Sequence, residues 1–138
     1  MKREFVPEGQ GSTENGLPYS LSHVCQGGTW GFFSGVIKPG EEKLEEEILS
    51  VIREVCRRVK AAGFDPDDII FLDVLVEGSL NLGDQELVAK INQAYVAALK
   101  EAGVAVSLDT VLPCRKTSSS LSLMAGARFE ATPVAWKK

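Results

Sequence analysis

"AAGFDPDDIIFLDVLVEG", residues 61–78, runs from a helix end through a turn into a buried strand without a break. Gly63 is the stop signal, because glycine adopts the left-handed conformation that closes helices without steric cost. "FDPDD" then reads as a turn: proline presets one backbone angle and aspartates bond to nearby backbone. "IIFLDVLVEG" (69–78) is apolar and β-branched along most of its length, the pattern of a strand inside a core. A helix, a tight connection and a core strand in sequence point to a layered domain.

Upstream, a helix is predicted to begin at Glu41. Leu44, Ile48, Val51, Ile52, Val55 and Val59 recur at steps of three and four and form one apolar stripe. Glu41, Glu42, Glu45, Glu46 and Glu47 crowd its start, while Arg53, Arg57, Arg58 and Lys60 follow toward its end. This order suits the helix macrodipole, and these charges read as a solvated face. Before it, "TWGFFSGVI" (29–37) is a strand ending at the turn "KPGE". Residues 1–17, rich in Gly, Pro and Glu, read as an irregular arm with room for a short strand.

Downstream, Asp84 is placed to cap a second helix whose apolar face is Leu87, Ile91, Tyr95, Ala98 and Leu99. Gly103 ends it. "VAVSLDTVLP" (104–113) is an extended segment or structured loop, followed by strands "KTSSSLSLM" (116–124) and "RFEATPVAW" (128–136) around an "AGAR" turn. The sum is one α+β domain over residues 1–138, ordered β-α-β-α-β-β, with two helices on one face of a mixed sheet.

Composition narrows the function. Hydrophobic residues are 44% and charged residues 25% of the 138-residue chain, the balance of a water-soluble globular domain. The net charge of -4 argues against a nucleic-acid surface, although a local basic pocket remains open. The apolar runs are too short for a membrane span, and the N-terminus lacks the apolar core of a secretory signal, so a cytoplasmic protein is expected. Cys25, Cys56 and Cys114 are widely spaced with no Cys-x-x-Cys, which gives neither a disulfide framework nor a zinc cluster. Cys56 fits the helix core as a small hydrophobe. His23 is the sole histidine and reads as a local hydrogen-bonding residue, so no multi-histidine metal site exists. The glycines of "QGGTWG" have the wrong spacing for a phosphate loop.

Arg115 and Glu130 then stand out. If the last two strands fold back at Ala125–Gly126, they approach one another across a hairpin. Arg128, Glu130 and Thr132 would share one face by the two-residue period. Spacing alone leaves open a solvated strand end, a structural salt bridge, or the polar side of a cleft. Pro133 cannot donate a ladder bond and suggests an edge strand or a bulge.

Several separated segments resemble the reactive-intermediate deaminase family, known as RidA or YjgF and also as the L-PSP endoribonucleases. "PYS" (18–20), "FFSG" (32–35), "AAGFDPDDIIFLDVLV" (61–76), "INQAYVAAL" (91–99), "PCR" (113–115) and "FEA" (129–131) match its pattern in order, from about residue 17 to residue 136. The resemblance implies a chorismate-mutase-like fold, a homotrimer with clefts between subunits, and hydrolysis of 2-imino or enamine acids without a cofactor. It implies that Arg115 grips the substrate carboxylate and that Glu130 holds and activates the attacking water. Tyr19, Ser34, Asn92 and the backbone around Thr117 would line the pocket, and Gly35 would permit close backbone approach.

Departures mark the pocket rather than the core. Position 117 is threonine where relatives often carry cysteine, and "HVCQGGT" holds two extra residues. The segment from Tyr95 to Pro113 is longer, and the run Ser118–Ser120 is more polar. The loops 20–31 and 100–112 would therefore set the substrate, general or pathway-specific. A trimeric small-carboxylate binding protein with little catalysis is the alternative. RNA cleavage is disfavoured by the acidic balance and the lack of an aromatic-basic motif. No nucleic-acid, membrane or metal partner is expected.

Overall fold

A computed structural model describes residues 2–5, 20–24, 27–104, 115–116 and 126–138, with side chains for 27–104 and 126–138. Strands β1 (Lys2–Phe5) and β2 (Ser20–Val24) pair antiparallel as a separate two-stranded sheet. The expected irregular arm is thus regular over Lys2–Phe5.

The main sheet contains β3 (Thr29–Phe32), β4 (Val36–Ile37), β5 (Ile69–Val76), β6 (Arg115–Lys116) and β7 (Phe129–Lys137). Its order is β3-β7-β5-β6, with β4 also pairing β7. Pairing is antiparallel except between β5 and β6, which run parallel. The fold is α+β, as the sequence predicts.

Two expectations about the sheet are corrected. β6 and β7 do not form a hairpin, because β5 lies between them; a parallel β5–β6 pair needs a long crossover, and helix α2 provides it. The predicted strand 116–124 falls outside the described residues beyond Lys116. The predicted strand 29–37 is divided: Phe32 pairs Val134 and Val36 pairs Ala131. Phe33, Ser34 and Gly35 thus face only Thr132 and Pro133, a bulge with one extra residue. Pro133 therefore belongs to a central strand, not an edge, at the place where pairing on this side is interrupted.

Helix α1 (Leu44–Ala61) begins three residues later than its acidic run suggests. Glu41 is held outside it: its N–H donates to the Glu47 carboxylate and its carbonyl accepts from Arg128. The predicted stripe is observed, with Ile48, Val51, Ile52, Val55 and Val59 buried and Leu44 packed at the margin. Gly63 closes the helix at φ +90°. Helix α2 (Gln85–Glu101) is capped by Asp84, whose side chain accepts from the N–H groups of Glu86 and Leu87. Gly103, at φ +79°, follows its end.

Both helices cover one face of the sheet. The core joins their stripes to Leu72, Val74 and Val76 of β5 and Phe129, Ala131 and Ala135 of β7. Tyr95 meets Phe129 edge to face at 5.9 Å, fixing α2 against the start of β7. Alternation sends the intervening residues, Asp73, Leu75, Glu130, Thr132 and Val134, to the opposite face, where each is half-buried. Among the described residues, no helix is long and apolar enough to cross a membrane.

Candidate functional site

The site is built where β7 begins. Phe129 anchors inward, so its neighbour Glu130 must point to the open face. In register, Glu130 stands opposite Ile37 of β4 on one side and Leu75 of β5 on the other. Leu75 in turn stands opposite Arg115 of β6. Paired positions share a face, so Ile37, Glu130, Leu75 and Arg115 make one row across four strands. Two strand spacings separate Arg115 from Glu130, about 10 Å between Cα atoms. The two positions are therefore not the neighbours a hairpin would make them: they stand in one register row with β5 between.

Glu130 is packed against Gly35. A Cβ on Gly35 would stand 2.6 Å from the Glu130 Cδ and 2.8 Å from its Cγ, closer than real side chains approach. The missing side chain is therefore the space the carboxylate occupies. Ser34 is exposed beside it, on the bulge between β3 and β4. The next rung of the open face pairs Asp73 with Thr132. Asp73 was legible from its two-residue spacing to Leu75, yet the apolar reading of β5 passed over it.

The other expected site residues are distributed differently. Asn92 is half-buried on α2, which packs on the Phe129 side of the sheet, so one chain alone does not bring it to Glu130. Tyr19 and Thr117 lie outside the described residues. Arg128 does not share the Glu130 face as predicted. It precedes the strand and turns toward α1, where its Nε donates to Glu47 Oε1 at 2.9 Å and its backbone N–H to Oε2 at 2.7 Å. Glu47, read as part of a solvated face, is fully buried.

Elsewhere, a groove of about 460 Å³ runs beside α1, lined by Lys38, Glu41, Arg53 and Arg57 among others. Its arginines are already paired, Arg57 with Glu54 and Arg53 with Glu101, and Glu41, Glu46 and Glu54 add carboxylates to the lining, so the groove is poorly suited to an acid. Among the described residues, no cluster of three His, Cys, Asp or Glu side chains could hold a metal. The open face is the better place for chemistry.

The chain superposes on the YjgF gene product of E. coli with a TM-score of 0.62, at 20% identity over 83% of this chain and 85% of that one. The chain has the YjgF/Rid fold. E. coli TdcF with bound serine gives 0.61 at 22% identity, over 83% of this chain and 85% of that one. A Mycobacterium tuberculosis member of the YjgF/YER057c/UK114 family gives 0.57 at 12%, over 81% and 82%. No family model and no curated protein matches the chain in sequence. The fold accounts for the helix layer, the mixed sheet and the open face that carries Glu130.

Proposed function

We propose that the chain is a Rid-type deaminase that hydrolyses a 2-imino or enamine acid to the 2-oxo acid and ammonia. One observation carries this reading: the Glu130 carboxylate, laid over Gly35, shares a cross-strand row with Arg115. A carboxylate beside bare backbone, in one register row with an arginine position, suits a small acid held at one end and attacked at the other.

Arg115 is the group that fixes the substrate carboxylate, by the bidentate pairing that a guanidinium supplies. Glu130 takes a proton from water as the water oxygen bonds to the C=N carbon. The imine nitrogen gains a proton, which gives a carbinolamine. The C–N bond then breaks as the hydroxyl proton leaves and the nitrogen is protonated, releasing ammonia and the 2-oxo acid. Glu130 relays these protons and ends as it began. Positioning and proton transfer are sufficient for this reaction, and no cofactor is part of the proposal. Tyr19, Ser34, Asn92 and the backbone of Thr117 complete the pocket in this reading, and a cytoplasmic enzyme fits it.

The proposal includes a homotrimer. Phe32 is 77% exposed and Trp30 46% exposed, and their rings stack at 5.9 Å on β3. Paired aromatics beside half-exposed Val134 and Phe71 make an apolar patch on the sheet that neighbouring copies would cover. A site between copies would also bring Asn92 of one chain toward Glu130 of another. Binding with little catalysis is the second reading, favoured by the structural neighbour that holds serine, an amino acid with a free carboxylate. Ammonia release from freshly generated 2-imino acids separates the two: the proposal expects acceleration, and the binding reading expects none.

A further inference from the structure

Glu47 is the one fully buried charged side chain among the described residues. Its carboxylate accepts from the Arg128 N–H at 2.7 Å, from Arg128 Nε at 2.9 Å and from the Glu41 N–H at 3.1 Å. Arg128 Nη2 donates to the Glu41 carbonyl at 2.6 Å, and the Arg128 carbonyl accepts from the Glu77 N–H at 2.8 Å. These bonds fix the backbone on either side of Glu130 and of its register partner. Arg128 stands two residues before Glu130, and Glu41 lies four residues after Ile37, that partner. Ile37 in turn follows Gly35, against which the Glu130 carboxylate rests.

We propose that Glu47 is a positioning residue, which holds β4 and the start of β7 in the register that lays the Glu130 carboxylate on Gly35. This inference rests on reading Glu130 as the base that activates water. A buried ion pair is a poor source of stability, since an apolar side chain of similar size fills such a position as well. What it supplies is fixed direction: one carboxylate ties two backbone N–H groups, on segments that flank the catalytic contact from both sides. A catalytic group displaced by about 1 Å loses on the order of 10² in rate, so this tether governs turnover although Glu47 touches no substrate.

The test compares wild type, Glu47→Gln and Glu47→Ala protein labelled with ¹³C at the glutamate carboxyls. The Glu130 resonance is assigned by its loss in Glu130→Gln. The resonance should shift in Glu47→Ala. Glu47→Gln, which keeps one oxygen acceptor for the Arg128 N–H, should restore part of the change. In imine hydrolysis, kcat should fall roughly 10- to 100-fold with KM near wild type. The same substitution made in Glu130→Gln should cost no further kcat, because the effect acts through Glu130. An unchanged Glu130 resonance in a folded Glu47 variant overturns the inference, as does an equal kcat loss in the Glu130→Gln background. Where Glu47→Ala fails to fold, Glu47→Gln decides the question by the same two readouts. Wild type that releases no ammonia defeats the deaminase reading alone, since the Glu130 resonance still decides the role of Glu47.

Discussion

Glu130 occupies the volume that a side chain on Gly35 would need, with its Cδ 2.6 Å from the place a Cβ would stand. Gly35→Ala is therefore a test of the site rather than of the fold. The colliding atoms are the far end of a flexible side chain, which can swing into solvent. Stability should change by less than about 1 kcal/mol. Turnover should fall by roughly 10², because the carboxylate has lost its place. A thermal melt and an ammonia-release assay on one preparation check both halves.

Arg115 shares the Glu130 row through Leu75. If it binds the substrate carboxylate, Arg115→Lys should weaken binding although the charge is kept, since lysine lacks the planar fork. Loss of a buried charge-assisted pair costs about 2–5 kcal/mol. Isothermal calorimetry with a 2-oxo acid measures it, and unchanged affinity would return Arg115 to a solvated strand end.

Assembly offers an independent check. If copies cover the Trp30–Phe32 stack, the 14.9 kDa chain should scatter light as a trimer at micromolar concentration. Replacing Phe32 with a charged residue should shift the mass toward monomer and abolish turnover together. A monomeric wild type would remove the shared cleft.

The pH response at α1 has a definite sign. Hydrogen bonds from Arg57, with burial opposing and Arg58 assisting, lower the Glu54 carboxyl from 4.5 to about 2. Its folded pKa lies below its unfolded one, so its stabilisation is complete above 4.5 and disappears as the pH falls through about 2. The pair is at the surface and screened, so Glu54→Gln should cost less than about 1 kcal/mol at neutral pH. Urea midpoints of the two proteins should converge as the pH drops across that window. A difference that persists at its acid end would assign the effect to packing.

Much of this architecture is legible in the chain because local chemistry dictates it. The 3-and-4 stripes of both helices, the Asp84 cap and the Gly63 and Gly103 stops each follow from neighbours in sequence. Strand order does not. β6 and β7 are consecutive among the described strands but are separated in the sheet by β5; the strand–helix–strand order of β5, α2 and β6 favours a parallel crossover. Glu47 was hidden for another reason. It sits in a run of acids that looks solvated, and its partner Arg128 lies 81 residues away. At the site, the resemblance implies both Gly35 and Glu130 without linking them, and their contact gives a physical reason for the glycine. Arg128 was misassigned because the two-residue period was extended past the true strand start at Phe129.

The most direct measurement is made on Glu130→Gln, with 2-oxo acid affinity by calorimetry and imine hydrolysis by ammonia release from the same sample. As the water-activating base, Glu130 should be dispensable for binding and essential for rate. Affinity should stay near wild type while turnover falls by roughly 10²–10⁴. Full turnover in Glu130→Gln would contradict the account, and lost affinity with a lowered melting temperature would make Glu130 a structural residue instead.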